Sequence, residues 1–427
     1  MFRLFFGFLL LATGVLAAPA CLAQAARDAA QPLREAVAAT CVLSDFNGFD
    51  AQLALNGAWV LDETRVPDSP DPRRITIRLG LPDGAEVLLE RRQAQGQLRQ
   101  FRATYYASTD TGLAPVMLAI ADGSCRIQSG RALRADGEIW RFLDQLDGDL
   151  ATLRWTETLQ APWPEGTDPG GVRVAFVDSG LAYDLDVFRD QLARDAGGVP
   201  LGYDYWDLDP WPYDGDVARG AFLPIRHGTA VASVFVREAP EAALIPFRYP
   251  RPDMSRMAAL VERAAAAGAR ILAMPLGSRT PGDWAAFAQT LEQHDILAIV
   301  SAGNNGRDID LDPVYPASLD LEQMITVTSA DGFGKLAEGS NWGARHVDLM
   351  VPAERLDIVD FRGASGVASG SSYAVPRLAA MAARILATDP DMSSVELKAQ
   401  ILARAAPSPF ERNGVLAVGW IPDPLAD

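Results

Sequence analysis

Five short, mostly apolar runs alternate with helical patterns in the second part of the chain. Apolar character on both sides of such a run is typical of a strand that is buried on both faces. Between the runs, apolar residues recur at helical spacing, and Ser393 with Glu396 forms a capping box before the last helix. Strands that alternate with helices predict an α/β fold with a mostly parallel, doubly wound sheet. The runs cover residues 172–177, 244–249, 271–276, 296–301 and 324–328.

The preceding part of the chain has period-two alternation instead of helical spacing. Residues 75–79 alternate apolar and polar side chains, and Asp83-Gly84 predicts a turn before the next apolar run. This pattern predicts a smaller β-rich N-terminal domain, and the proline-containing connection at 161–166 predicts its boundary. The predicted ranges are 26–160 for the β-rich domain, 161–410 for the α/β domain and 411–427 for a C-terminal tail.

The first 25 residues have the pattern of an export signal. Arg3 precedes an apolar stretch over residues 4–18, and the A-x-A motif at 23–25 offers a cleavage site. The stretch is short for a membrane-spanning helix and no later run reaches about 18 apolar residues, so we expect no stable membrane span. The expected location is the periplasm or the extracellular medium. Lipidation at Cys21 is a minor alternative, because the leucine of a lipoprotein site is missing.

Composition excludes some classes of partner and predicts a disulfide. The formal net charge is −17 and the sequence has no run rich in Lys and Arg, so we expect no binding to nucleic acid or anionic membranes. After signal cleavage two cysteines remain, Cys41 and Cys125. An even count in an oxidising compartment predicts that they form a disulfide, and two separate buried thiols are the alternative. The expected assembly state is a monomer.

Three separate segments supply the side chains of a serine-nucleophile hydrolase. Asp178 lies in Val-Asp-Ser-Gly, His227 in His-Gly-Thr, and Ser372 in Gly-Ser-Ser-Tyr-Ala-Val-Pro. A serine hydroxyl needs a base to take its proton during attack, and the acid orients that base. The order acid, base, nucleophile differs from the orders of the chymotrypsin type and the α/β-hydrolase type. Singly, each residue has an ordinary structural explanation as a turn cap, a core histidine or a helix cap, but together they predict a catalytic triad.

With these motifs, the chain resembles the subtilisin-like serine proteases, the subtilases, over residues 171–406 or so. Residues 301–306, Ser-Ala-Gly-Asn-Asn-Gly, resemble the family segment that carries the oxyanion asparagine. The resemblance implies a subtilisin-like fold, polypeptide substrates, an acyl-enzyme, and Asn304 as the side-chain donor of the oxyanion hole. It also implies a neutral pocket for the side chain that precedes the scissile bond. The residues expected to line this pocket are Leu276, Gly277, Asn305 and Ala317.

Four positions depart from the family pattern. They are Ser233 after the histidine, Pro275 before Leu-Gly, Arg377 after Pro376, and Val-Pro-Ala at 351–353. None belongs to the proton-transfer set, so an exported serine endopeptidase is the leading hypothesis. The alternative is a pseudoenzyme that keeps the fold as a binding protein. Residues 26–160 are either a pro-region that is removed during maturation or a permanent accessory domain.

No cofactor is required by this chemistry, and calcium is an optional ligand. Asp308, Asp310 and Asp312 place three carboxylates on one side of an extended segment, and hard oxygen ligands suit calcium. Solvated loop carboxylates are the commoner explanation for such a pattern. Paired-cysteine and His-Glu-x-x-His motifs are missing, which argues against zinc. A second acidic group precedes His227 and comprises Asp204, Asp207, Asp209, Asp214 and Asp216.

Overall fold

The chain divides into two compact units. A computed structural model describes residues 18–43, 55, 57–67, 72–136, 139–251, 253–410 and 414–426. The first unit comprises the residues up to Gln160 together with Val217–Leu223, and the second comprises Ala161–Asp216 and Pro224–Asp427. Of the predicted signal stretch at 4–18, only the last residue lies within the described part of the chain.

The first unit is an antiparallel meander of eight strands with a helix packed on it. The strands pair in sequence order, which confirms the β-rich prediction. Helix α1, Ala18–Thr40, was not predicted; it contributes Ala29, Leu33, Ala36 and Val37 to the core. Its buried face is mostly alanine, so its apolar periodicity is weak in the sequence. Strands β1–β8 are Trp59–Val66, Arg74–Gly80, Glu86–Ala94, Gln97–Thr109, Gly112–Asp122, Ile127–Asp136, Ile139–Asp147 and Leu153–Thr158.

A disulfide fastens the helix to the sheet. Cys41 directly follows α1, and Cys125 lies in the turn between β5 and β6. Their Cα atoms are 5.6 Å apart across a sequence separation of 84 residues, and the bond confirms the predicted pairing. The Cys41 carbonyl also accepts a hydrogen bond of 3.0 Å from the Arg91 guanidinium.

The segment Val217–Leu223 completes a separate apolar cluster of the first unit. Phe222 is 4% exposed and packs with Leu118, Leu133 and Leu143. The Arg131 guanidinium donates a 2.7 Å hydrogen bond to the Phe222 carbonyl. The predicted α/β domain, residues 161–410, includes this segment, because chain order alone gives no sign that it packs with earlier strands.

The second unit is built on a parallel sheet of eight strands, which confirms the predicted α/β fold. The strands are β9 Arg173–Asp178, β10 Tyr203–Asp204, β11 Ala243–Arg248, β12 Ile271–Met274, β13 Leu297–Ser301, β14 Met324–Ala330, β15 Leu349–Pro352 and β18 Gly419–Trp420, with an antiparallel pair β16 Leu356–Val359 and β17 Ser365–Ala368. The strand order is β10-β11-β9-β12-β13-β14-β15-β18, and each neighbouring pair is parallel. The five predicted apolar runs correspond to β9 and β11–β14.

Helices cover both faces of this sheet. They are α2 Asp186–Arg189, α3 Gly228–Glu238, α4 Met257–Ala266, α5 Ala285–Leu291, α6 Ser371–Thr388 and α7 Ser394–Leu402. Within β9, Val174 and Phe176 face a core that includes α3 and α6, whereas Ala175 and Val177 face a core that includes α4 and α5. Alternate residues of one strand therefore enter two cores, and this explains why the strand has no polar face.

The α/β unit extends past residue 410. Strand β18 pairs with β15 through Gly419 and Trp420, although residues 411–427 were expected to be a tail. A strand of two residues leaves no periodicity in a sequence, so it escaped prediction. Within the described ranges, we find no helix with the length and apolar character needed to cross a bilayer.

Candidate active site

Asp178 and His227 form a hydrogen-bonded pair at the carboxyl end of the sheet. Asp178 is the last residue of β9 and is 3% exposed, and His227 directly precedes α3. Both carboxylate oxygens lie 2.8 Å from Nδ1 of the imidazole. The Ser179 N–H donates a further hydrogen bond to Asp178. The pair leaves Nε2 of the ring available for a second partner.

Ser372 lies in the first turn of α6. The helix begins at Ser371, and Gly370 before it has a φ of 132°, a conformation that favours glycine. The ring centroid of Tyr373, the next residue, is 6.2 Å from that of His227. Within the described part of the chain the Ser372 hydroxyl makes no hydrogen bond, including none to His227. Catalytic pairs without substrate are often longer than a hydrogen bond.

Asn304 is tied by its oxygen to the start of α6. Its Oδ1 accepts hydrogen bonds from the Ser371 backbone N–H at 2.8 Å and from the Ser371 hydroxyl at 2.9 Å. A backbone N–H can only donate, so the atom that faces it must be the amide oxygen. The Nδ2 group is therefore left to donate elsewhere, on a residue that is exposed. Gly303, with a φ of 98°, turns the chain between β13 and this asparagine.

A cleft of about 440 Å³ lies beside the Asp178–His227 pair. Leu276 and Gly277 line it, as the resemblance implied, and so does Pro275. Asn305 and Ala317 are not among the described residues that line the cleft. Asn305 is exposed, and its backbone N–H donates a hydrogen bond to the Asn341 side chain. Ala317 is 1% exposed and lies in a hydrophobic core. The structure therefore brings together only part of the predicted pocket.

Two of the departures from the family pattern have defined partners. The Ser233 hydroxyl donates to the Ala230 carbonyl at 2.7 Å and accepts the Val359 N–H at 2.9 Å, which joins α3 to β16. The Arg377 guanidinium binds Glu238 at the end of α3. Both substitutions therefore add contacts to the helix that follows His227.

The charges around the pair raise the pKa of the imidazole. Burial acts to lower the pKa of His227, but the charge and hydrogen bond of Asp178, with a further contribution from Asp214, raise it above the ordinary value of 6.5. Burial also raises the pKa of Tyr373 to about 12, so this phenol is neutral at physiological pH. An imidazolium formed during proton transfer would be stabilised by two carboxylates.

The acidic group before His227 does not form a common calcium site. Asp204 and Asp207 bind Arg248, and Asp216 accepts a hydrogen bond from the Tyr249 hydroxyl. Asp214 is instead bonded to the first residues of α3. In the sequence, Asp214 is one of five similar aspartates in this acidic group, and its place 13 residues before His227 is the signal that could have found it.

The second proposed calcium segment is also divided among other partners. Asp310 lies 2.7 Å from Nδ1 of His346, and Asp312 pairs with Arg279 and Arg307. Asp308 accepts the Asp310 N–H. Within the described ranges, no three His, Cys, Asp or Glu side chains are arranged to hold a metal ion. The geometry of this segment gives no support to calcium binding.

Comparisons with known proteins agree with this arrangement. The subtilisin-like protease het-Q2 of Podospora anserina is 30% identical over 181 residues, covering 38% of this chain and 48% of that protein. The minor extracellular protease Vpr of Bacillus subtilis (strain 168) is 30% identical over 157 residues, covering 34% of this chain and 19% of that protein. The chain thus matches about half or less of the length of these two relatives.

The fold and the family rest on two broader matches. A solved structure of the subtilase cytotoxin SubAB superposes with a TM-score of 0.51 at 21% identity, covering 61% of this chain and 90% of that one. At this identity the likeness concerns the fold alone. The model of the subtilase family matches residues 170–420, more than half of the chain, and this range includes Asp178, His227 and Ser372. The chain belongs to the subtilase family.

Proposed function

We propose that this protein is an exported serine endopeptidase that cleaves polypeptides through an acyl-enzyme. The observation that carries the proposal is the Asp178–His227 pair, with both oxygens 2.8 Å from Nδ1, beside a helix whose first turn holds Ser372. A carboxylate on Nδ1 keeps the proton there and leaves Nε2 unprotonated, which is the tautomer that a general base requires.

In the proposed reaction, Ser372 Oγ attacks the scissile carbonyl while His227 takes its proton. The ring then gives that proton to the leaving amine, and an ester of Ser372 remains. Water, activated by the same imidazole, hydrolyses the ester and releases the acid. Asp178 holds the ring and stabilises its charged form without accepting the proton itself.

The proposed oxyanion hole combines Asn304 with the start of α6. The Asn304 oxygen is held by Ser371, so its Nδ2 is the group available to a negative oxygen. The Ser372 N–H lies at the positive end of the helix dipole. Two donors fixed before the reaction begins stabilise the tetrahedral intermediate with little reorganisation.

The proposed substrate lies along the cleft lined by Leu276 and Gly277. Adding a Cβ to Gly277 would place it 3.0 Å from the Tyr315 carbonyl oxygen, so a larger residue here would require this wall to shift by a few tenths of an ångström. Support for export comes from the pattern of residues 1–25, from the disulfide, which suits an oxidising compartment, and from the extracellular location in the name of one relative.

A fluorophosphonate probe combined with a peptide-hydrolysis assay tests the activity. We expect covalent labelling of the wild type at Ser372 and no labelling or hydrolysis by Ser372→Ala. Ser365→Ala, which removes an exposed hydroxyl from β17, serves as the matched control and should behave as the wild type. A folded wild type that is neither labelled nor active would favour the pseudoenzyme.

A further inference from the structure

Asp214 takes the place of the capping side chain at the helix that follows the proposed base. His227 is the N-cap residue of α3, but its side chain makes no capping hydrogen bond because the ring is bound to Asp178. Asp214, fully buried and 13 residues earlier, accepts the His227 N–H at 3.3 Å and the Thr229 N–H at 3.0 Å. A carboxylate from another segment thus accepts the Thr229 N–H at the start of the helix and shares in accepting the His227 N–H.

Two hydroxyl groups extend this arrangement. The Ser179 hydroxyl donates to Asp214 at 2.7 Å while it accepts the N–H groups of His227 at 3.1 Å and Gly228 at 2.9 Å. The Thr229 hydroxyl donates to Asp214 at 2.6 Å while it accepts the Ala182 N–H at 2.9 Å. Each hydroxyl uses its lone pairs for backbone N–H groups and its single hydrogen for the carboxylate.

This pattern of donors favours the ionised form of Asp214. Burial is the largest influence on the carboxyl and raises its pKa above the ordinary value, whereas the hydrogen bonds from Thr229 and Ser179 and the charge of Arg226 oppose this rise. Within the described part of the chain, four hydrogen bonds are donated to Asp214, and a protonated carboxyl would lose at least one of these donors. We therefore expect a carboxylate at neutral pH.

The groups that face the imidazole come from several elements. Asp178 at the end of β9 binds Nδ1, Tyr373 approaches from α6 with a neutral phenol, and Asp214 lies at the backbone of the same residue. Arg226 is the cation next to His227 in sequence, and its charge opposes that of Asp214. Asp214 is thus a second negative charge close to His227, and its hydrogen bond goes to the backbone N–H of this residue instead of the imidazole.

We propose that Asp214 is a positioning residue for His227. It holds the backbone at the start of α3 in one place, and its charge stabilises the imidazolium alongside Asp178. The catalytic consequence rests on the proposed role of His227 as the base, whereas the electrostatic consequence does not. Asp214 itself touches neither the reacting atoms nor the imidazole.

An NMR pH titration of the three histidine rings tests the electrostatic part in the full chain, with the His227 signal assigned by its loss in His227→Gln. In Asp214→Asn the His227 pKa should fall by roughly 0.5 to 1 unit, because a neutral amide no longer stabilises the imidazolium. Asp348→Asn is the matched control. Asp348 is a half-buried carboxylate that accepts the Thr326 N–H at 2.8 Å directly before β15, which lies four strands from β9 in the sheet, and its loss should leave the His227 pKa unchanged.

A second variant separates geometry from charge. Ser179→Ala removes the hydroxyl that joins Asp214 to the His227 and Gly228 N–H groups but keeps the carboxylate. We expect kcat to fall by about 10- to 100-fold in both Ser179→Ala and Asp214→Asn with KM near the wild type, because a displaced base affects the transition state more than binding. The midpoint of the acid limb of the kcat/KM profile should move to lower pH only in Asp214→Asn.

The proposal is overturned if the His227 pKa in Asp214→Asn equals that in Asp348→Asn. It is also overturned if Asp214→Asn and Ser179→Ala both change KM and leave kcat unaltered. Should Asp214→Asn fail to fold, an unaltered kcat and ring environment in Ser179→Ala would overturn the positioning role. A wild type without hydrolysis or probe labelling would reject the proposed function, and the pKa shift measured by NMR would still decide the electrostatic claim.

Discussion

The Arg377 Nε lies 3.0 and 3.2 Å from the two carboxylate oxygens of Glu238, in an ion pair whose side chains are 9% and 5% exposed. Glu238 ends α3, where the helix dipole disfavours a negative charge. Arg377 belongs to α6 and also donates to the Pro352 carbonyl at 2.7 Å. The pair therefore joins the helix that follows His227 to the helix that carries Ser372.

Removing Arg377 should destabilise the protein strongly. Arg377→Ala leaves the Glu238 carboxylate buried without its main partner, and loss of one member of a buried pair costs about 3–5 kcal/mol. Urea denaturation measures the loss of the free energy of unfolding. Arg237→Ala is the matched control, because Arg237 is largely exposed and its guanidinium makes only a long contact of 4.0 Å with the same carboxylate. It should cost under about 1 kcal/mol, and equal effects of the two variants would contradict this prediction.

Gly228→Ala should disrupt the active site. A Cβ on Gly228 would lie 2.0 Å from the Gly180 carbonyl oxygen and 3.0 Å from the Asp178 Cβ, both rigid neighbours. The start of α3 must move away from β9, and the Asp178–His227 hydrogen bond should be lost. We expect a fall in kcat of at least about 10²-fold in a peptide assay. Gly282→Ala, at a glycine with open space around it, should keep wild-type activity.

Asn304→Ala should lower kcat with little change in KM. The amide would act on the oxyanion, which exists only after attack, and loss of one such donor in a subtilisin costs about 10²–10³ in kcat. Steady-state kinetics on a peptide series provide the measurement. Asn305→Ala is the neighbouring control and should be far milder, since this residue is exposed and outside the cleft lining. The reverse order of effects would reject Asn304 as the donor.

The acid limb of the kcat/KM profile should have its midpoint above pH 6.5. His227 must be neutral to accept the serine proton, and the Asp178 carboxylate is the main group that raises its pKa above 6.5. Activity is therefore lost as pH falls through this raised value. Asp178→Asn should move the midpoint down as well as lower kcat. A wild-type midpoint well below 6.5 would show that burial outweighs the carboxylate.

Loss of the disulfide should destabilise the first unit. The bond closes a loop with a sequence separation of 84 residues, for which chain entropy gives about 4.5 kcal/mol. Cys41→Ser with Cys125→Ser should therefore unfold at lower urea than the wild type, and reductant should abolish the difference. Thiol labelling of the unreduced, unfolded protein checks the bond directly, and two reactive thiols at these positions would refute it.

The sequence predicted the elements that hold the proposed triad within a few residues. Strand β9 was expected at 172–177 and is Arg173–Asp178, and the capping box of Ser393 with Glu396 is present at α7. Both succeed because buried parallel strands and capped helices leave local patterns. Helix α1 and the two-residue β18 were missed, since a face built from alanine and a very short strand leave little pattern.

Long-range pairings could not be read from the chain. Asp214 was one of five similar aspartates, and only the fold separates it from Asp204, which binds Arg248. Ala317 was carried over from the family motif, but its burial depends on how the loop after β13 packs. Local sequence indicates which residues carry the chemistry, whereas their supporting partners depend on contacts between distant segments.

The inclusion of Val217–Leu223 in the first unit has a consequence for synthesis and processing. At the moment when residue 160 has been made, Leu118, Leu133 and Leu143 still lack Phe222, so this cluster cannot close until about 60 more residues have been added. The amino-terminal unit is therefore not a finished folding unit when its own strands are complete. For the same reason, a cut in the connection at 161–166 would not release it whole, because part of its apolar cluster belongs to the downstream fragment.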